Sequence, residues 1–275
     1  MTWHLKNSGE YFNVSMHCNS IYEDAFISFI LNLKNKDLAD TSIKTYVVHI
    51  RAFLIYCMKR GYIAEFPVIV PKAEEQIKDV YTDYELSILL KKPDIKTCDF
   101  TEYRNWVISN TLFGTAMRVG SLCGLHVGDI DLKSKLLTLR KVKTKKPYVI
   151  PITNTLCIIL QEYFTFRKGE PEDFLFVDKY LKPLKKSGVQ TAIQRYNLRR
   201  GVAKVSCHLY RHTFAKKWLL SEGSIYELQR ILGHKTLAMV LRYANIWGID
   251  LKKNFEKHNP LEDFSNINNN KGINW

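Results

Sequence analysis

The sequence has no apolar run approaching the roughly 20 residues needed to cross a bilayer. Its opening residues (MTWHLKNSGEYF) also lack the basic-then-apolar layout of a secretion signal. A cytoplasmic protein with no membrane partner is expected. The six cysteines (Cys18, Cys57, Cys98, Cys123, Cys157 and Cys207) are scattered without a CxxC pair. This excludes zinc-finger spacing and offers no disulfide framework, so free, inert thiols are expected. No glycine-rich loop is present to cradle a nucleotide phosphate, and no carboxylate cluster to hold a divalent ion. These stretches thus signal neither a cofactor nor a metal.

Acid is scarce too. Lys and Arg total 41 against 27 Asp and Glu, a net charge of +14, and the excess is unevenly placed. Residues 1–75 hold eight of each sign, so all of it falls beyond them. Residues 133–149 carry seven basic side chains and 179–204 carry eight, with no acid in either stretch. Positive charge gathered into patches suits a polyanion, and nucleic acid is the common one. The alternative is a basic protein whose charge serves only solubility.

At 275 residues the chain is long for one core and comfortable for two. The stretch 65–80 (EFPVIVPKAEEQIKDV) has two prolines and little periodicity, which makes it a linker between domains at 1–75 and 76–275. In the first domain, SIYEDAFISFILNL reads as an amphipathic helix with a capping box from Ser20 to Glu23. A second helix starts near Thr41 and ends at Gly61, with Lys44 and Arg51 among four basic residues and no acid. The second domain opens on another capping box, Thr82 to Glu85, and continues into a helix at 102–116 with Trp106, Val107, Leu112 and Phe113 as core candidates. Residues 136–141 and 147–152 form short β-like runs around a basic turn, hence a hairpin. Further helices are expected from Thr153 to about 167, at 188–198, at 207–220, from Ser224 to Leu232, and from Thr236 to Tyr243. The fold class is thus mainly α with a small β-hairpin: a helical N-terminal domain and a mixed α+β second domain.

The stretch HLYRHTFAKKWLLSEGSIYELQRILGHKTLAMVLRY, from His208 to Tyr243, gathers the chemistry. His208 and Arg211 are spaced i, i+3 and share a helical face. His212 can join that face or simply pack, and packing or a supporting role behind the site is the favoured reading. Gly233-His234 and Tyr243 follow, the phenol nine residues after the second imidazole. Each member alone has a structural reading. Together, HLYRHTFA, LGH and the spaced tyrosine resemble the tyrosine recombinase (phage integrase) family, with TAMRVGSLCGLHVGDIDL supplying the upstream arginine box.

The resemblance covers about 80–255 by specific motifs and 15–70 only by helical character. It implies an N-terminal core-binding domain that contacts DNA and a catalytic domain. It places Arg118, His208, Arg211, His234 and Tyr243 in the active site. The family's hairpin lysine falls on Lys143, eight residues before Pro151, with Lys145 and Lys146 as close competitors. Two positions depart from the family pattern: Ala116 stands where glycine is usual, and Ser121 where an acid is frequent.

The implied reaction cuts and rejoins DNA through a 3′-phosphotyrosyl bond. Arginine forks suit two phosphate oxygens and stay charged. On this reading Arg118 and Arg211 clamp the phosphate and His234 donates a further bond. His208 is the candidate base for the phenol, and Lys143 the acid for the leaving 5′ oxygen. Lys44, Arg51, Lys141, Lys145, Lys146, Arg195, Arg199 and Arg200 are candidate DNA contacts. The expected partners are double-stranded DNA bearing a recombination site and further copies of the chain, a tetramer on two sites. The segment with Ile249, Leu251 and Phe255 would pack on a neighbour, and the chain's length leaves no room for an arm-binding domain. Two other readings stand beside this one. The chain could be a helix-turn-helix regulator with Gly233 in the turn, or a relaxase like the type IB topoisomerases.

Overall fold

The computed structural model describes residues 21–36, 38–72, 79–140 and 148–246, with backbone only for Arg242 and residues 244–246. The chain forms two compact units divided after Gln76. Among the described residues, no helix is long and apolar enough to cross a membrane.

The first unit is built on α1 (Glu23–Asn35) and α2 (Asp40–Lys59). Phe26, Phe29 and Leu33 repeat at helical spacing and close onto Ile43, Val47, Ile50, Leu54 and Cys57. Lys44, Val48 and Arg51 follow one another on the exposed side of α2. Tyr22 occupies the N-cap of α1 without a side-chain bond. The expected capping box depended on Ser20, which lies outside the described residues. Asp24 and Glu23 in the first turn instead complement the helix dipole.

The second unit is organised around α4 (Phe100–Thr115), which contacts α6 (Asn154–Arg167), α7 (Lys186–Arg199) and α8 (Cys207–Leu220). Surrounded on several sides, α4 buries polar as well as apolar positions, and several of the buried polar groups are hydrogen-bonded. Thr111 and Thr115 donate to the carbonyls one turn back at 2.8 and 2.6 Å. Ser109 meets the Tyr210 hydroxyl at 3.0 Å, and Arg104 donates to the Val177 carbonyl at 2.7 Å. Trp106, Val107 and Leu112 are core residues as expected, and Phe113 is half-buried.

Ahead of α4, the short α3 (Asp83–Leu89) starts on Thr82. Its hydroxyl accepts from Glu85 N while the Glu85 carboxylate accepts from Thr82 N, the reciprocal capping box read in the sequence. After α4 come α5 (Val119–Leu122) and a 3-10 turn at Val127–Asp129. A three-stranded antiparallel sheet follows, with β1 (Ile130–Asp131), β2 (Leu136–Leu139) and β3 (Tyr148–Pro151) in that spatial order. Leu137 pairs with Ile130 on one side and Ile150 on the other, so these side chains share the core face. The first strand was not foreseen; two residues are too few to show alternation. Buried Asp129 ties this region together, accepting from His126 N at 2.8 Å and pairing with Arg140 just beyond β2. The chain closes on α9 (Ile225–Leu232) and α10 (Ala238–Ile246). Cys57, Cys98, Cys123, Cys157 and Cys207 are free thiols.

Candidate active site

Ser206 begins α8 by accepting from His208 N at 3.3 Å. This sets His208 in the exposed first turn and carries Arg211 and His212 inward on the next. Arg211 is only 5% exposed, yet its donors are well placed. One terminal nitrogen donates to the Ala116 carbonyl at 2.8 Å. The other reaches the Leu232 carbonyl at 2.7 Å and His234 Nε2 at 2.8 Å. Ala116 caps the C-terminus of α4, and Leu232 is the last residue of α9. A cation here therefore satisfies orphan carbonyls at two helix ends and meets the negative poles of both.

Ala116 reaches this position with φ at 52°, in the left-handed region. Glycine adopts that conformation without strain, whereas alanine has a steric cost of about 1–2 kcal/mol. This accounts for the glycine the resemblance leads one to expect there. Ala116 is fully buried against Leu228, Leu232, Val240 and Tyr243, so its methyl group contributes apolar contact.

The second histidine arrives by a helix-terminating turn. Gly233 has φ at 59°, its N–H donates to Arg230 O at 3.0 Å, and His234 N donates to Gln229 O at 3.1 Å. These are the paired bonds of a Schellman turn. They swing His234 back over α9 toward Arg211. A Cβ on Gly233 would lie 3.3 Å from the Tyr148 hydroxyl. Gly233→Ala is therefore expected to cost about 1–2 kcal/mol of backbone strain. At roughly 2–4 °C per kcal/mol for a unit this size, the melting temperature falls by about 2–8 °C. A thermal melt checks this; an unchanged midpoint would contradict it.

Tyr243, on α10, is 6% exposed. Its ring lies parallel to that of His234, 5° between planes and 6.2 Å between centroids. Its hydroxyl is 3.0 Å from His212 Nδ1. Burial raises the Tyr243 pKa above the ordinary phenol value, partly offset by the charge and hydrogen bonding of Arg211 and by the charge of Arg118. Burial also draws Arg211 down to about 10, and the like charge of Arg118 adds to the effect. Arg211 thus remains a cation at neutral pH, held near a second cation. Arg211 also feels the phenol groups of Tyr243 and Tyr148. Two guanidinium groups acting on one phenol suit an anion with several charged oxygens.

The structure thus brings Arg118, Arg211, His234 and Tyr243 together. It adds two residues to the set. His212, read as packing, holds the phenol oxygen; Tyr148 lies beside Gly233 and feels both arginines. Tyr148 follows the basic turn directly in sequence, the one signal that could have found it. His234 Nε2 faces an arginine, which can only donate, so that nitrogen accepts in this arrangement. Its expected bond to phosphate needs the ring's other nitrogen or a rearrangement. Lys141, Lys143, Lys145 and Lys146 lie outside the described residues, as do Ile249, Leu251 and Phe255. Lys44, Arg51, Arg195 and Arg199 are exposed. Arg200, a further candidate DNA contact, is half-buried, 2.9 Å from Glu102 and stacked over Tyr196 at 4.5 Å. Among the described residues, no group of His, Cys, Asp and Glu side chains is placed to hold a metal ion.

The sequence model of the phage integrase family matches residues 80–247. The chain is similar to tyrosine recombinase XerC of Chlamydia caviae, with 25% identity over 240 residues, 84% of this chain and 75% of that protein. It is similar also to XerD of Staphylococcus haemolyticus, with 26% identity over 230 residues, 80% of this chain and 76% of that one. Among solved structures, the Tn1549 transposon integrase in complex with transposon right end DNA shares the fold. Its TM-score is 0.68 at 18% identity, covering 84% of each chain. XerA recombinase matches at TM-score 0.57 and 22% identity, over 94% of this chain and 90% of that one.

Proposed function

Because the chain belongs to the phage integrase family, we propose that it is a site-specific DNA recombinase that works through a 3′-phosphotyrosyl intermediate. The observation that carries this reading is the Tyr243 phenol, seated against His212 and His234 within the field of Arg211 and Arg118. The scissile phosphate would enter between the two arginines. Their forks take the non-bridging oxygens, which gain charge as the fifth bond to phosphorus forms. The Tyr243 oxygen attacks phosphorus, and the phenol proton passes to a base. The 5′ oxygen leaves and takes a proton from Lys143 on the hairpin. A 5′-hydroxyl from another strand then attacks the phosphotyrosyl bond, Tyr243 leaves, and the backbone is rejoined. The phosphodiester bond energy is kept in the adduct throughout.

The first unit, with Lys44 and Arg51 exposed on α2, would be the core-binding domain and hold the duplex. Arg195 and Arg199 would add phosphate contacts from the catalytic unit. The active species would be a tetramer on two DNA sites, with the segment around Ile249, Leu251 and Phe255 packing on a neighbour. The substrates would be sites on a mobile element or replicon, and the reaction would take place in the cytoplasm. The relatives' names as recombinases, and the fold shared with an integrase in complex with DNA, support this reading. The regulator reading fits the site less well. The turn at Gly233 aims His234 at a buried arginine, which a helix-turn-helix does not require.

The test uses duplexes from the DNA flanking the gene, nicked beside the candidate cleavage position so that the 5′-hydroxyl fragment diffuses away. A protein–DNA band that survives denaturing electrophoresis is expected. Absence of such a band across all duplexes from both flanks would contradict the proposal.

A further inference from the structure

The geometry points to the Tyr148 hydroxyl as a third donor to the scissile phosphate, a further catalytic group beside Arg118 and Arg211. The inference rests on the recombinase reading for its chemistry and on the placement of β3 for its assignment.

Tyr148 opens β3, where it pairs with Leu139 of β2. Side chains two apart on a strand share a face, so Tyr148 lies on the side of Ile150, which is 2% exposed. Its ring packs half-buried against the core of the second unit. Its hydroxyl reaches the turn that ends α9. A Cβ on Gly233 would lie 3.3 Å from the hydroxyl oxygen and 3.5 Å from the ring carbon that bears it. Gly233 stands between Leu232 and His234, and Arg211 holds the carbonyl of the first and Nε2 of the second. The Tyr148 hydroxyl therefore comes against the residue that separates two contacts of Arg211. With glycine there, no side chain stands in its way.

This hydroxyl makes no hydrogen bond among the described residues. Buried phenols usually find a partner. The two cations that act on Tyr148, Arg211 and Arg118, carry only donors and cannot accept its proton. Burial outweighs them and raises the phenol pKa, so the group stays a neutral O–H at neutral pH. A non-bridging phosphate oxygen beside these guanidinium groups is an acceptor for all three. A hydroxyl also adds a donor without adding charge, whereas a third cation would be repelled by the first two. As the Tyr243 oxygen bonds to phosphorus, the non-bridging oxygens gain negative charge. A donor already in place then strengthens its bond without reorganisation. Tyr148 keeps its proton throughout, and no covalent bond to it forms or breaks.

Tyr148→Phe isolates the oxygen, because the ring keeps its packing. The melting midpoint should be unchanged. A large fall would reveal an internal hydrogen bond and remove the premise. Single-turnover cleavage of the nicked duplex should slow on the order of 10²-fold, with DNA affinity by gel shift unchanged. Cleavage at the wild-type rate would overturn the assignment.

A slowed variant alone does not separate contact from positioning, so the substrate is changed as well. Two duplexes carry a phosphorothioate of opposite configuration at the cleavage position, each with sulfur in place of one non-bridging oxygen. Sulfur accepts a hydrogen bond more weakly. The wild-type to Tyr148→Phe rate ratio should shrink for one configuration and persist for the other. An equal ratio for both would mean that Tyr148 acts on the phosphate only through other residues, which also overturns the assignment. If wild-type protein forms no adduct with any duplex, the recombinase reading falls. If wild-type protein cleaves and Tyr148→Phe matches it, the Tyr148 assignment falls alone.

Discussion

Replacing Tyr243 with phenylalanine is expected to abolish covalent DNA cleavage while leaving the fold almost as stable as before. The two outcomes separate because one oxygen serves both chemistry and packing, with unequal weight. In packing, the ring belongs to an apolar cluster with Ala116, Ala215, Leu228, Leu232 and Val240, and phenylalanine keeps those contacts. The hydroxyl contributes its bond to His212 and its interaction with Arg211. A hydrogen bond of this kind has a net worth of about 0.5–1.5 kcal/mol. The phenol is also 6% exposed, so its removal lightens a desolvation burden. A melting shift of no more than about 6 °C follows. In chemistry nothing substitutes for the oxygen. An ordinary phenol, with a pKa near 10, already lies roughly 4 kcal/mol from ionisation at neutral pH, and burial moves Tyr243 further in that direction. The charges of Arg211 and Arg118 offset part of this cost. Binding of the duplex, measured by gel shift, should persist in the variant. A persistent adduct would show that another residue is the nucleophile.

Arg211 should behave in the opposite way, losing stability and activity together. Arg211→Ala would leave the Ala116 and Leu232 carbonyls without their donor. A buried polar group left unsatisfied costs about 1–3 kcal/mol. Two such groups cost about 2–6 kcal/mol, a large share of the 5–15 kcal/mol that holds a typical domain folded. The end of α4 and the end of α9 would lose their common tie, and His234 its partner. Arg211→Lys isolates the catalytic part. An ammonium keeps the charge but has no planar fork, so it cannot reach both carbonyls and a phosphate oxygen together. Cleavage by Arg211→Lys should fall by at least the 10²–10³-fold typical of removing one preorganised donor. Its melting point should stay above that of Arg211→Ala. Near-normal cleavage by the lysine variant would mean that Arg211 serves structure alone.

How much of this could be read in advance varied with the physics of each residue. Elements that begin on strong caps were legible: Thr82 with Glu85, Thr153 at the start of α6, and Ser224 at the start of α9 all act as the sequence suggested. The α4 helix was legible as a helix but not as the centre of its unit. Ser109, Thr111 and Arg104 look like solvent-facing residues until their internal hydrogen bonds are seen. Arg118, Arg211, His234 and Tyr243 were picked out through the resemblance of their motifs to the tyrosine recombinase family, since each residue alone has a structural reading. His212 was not. Its contact with the Tyr243 hydroxyl depends on α10 packing against α8, between residues 31 positions apart. Tyr148 was missed for the same reason, since a strand terminus acquires meaning only when Gly233 comes against it.

The central claim is that Tyr243 itself becomes joined to DNA. Its most direct test is to trap the wild-type protein on a nicked duplex, digest the adduct with nuclease and protease, and map the modified peptide by mass spectrometry. The account predicts a 3′-nucleotide residue on the peptide containing Tyr243, joined through the phenol oxygen. A nucleotide found on any other side chain, or joined through its 5′ end, would contradict it.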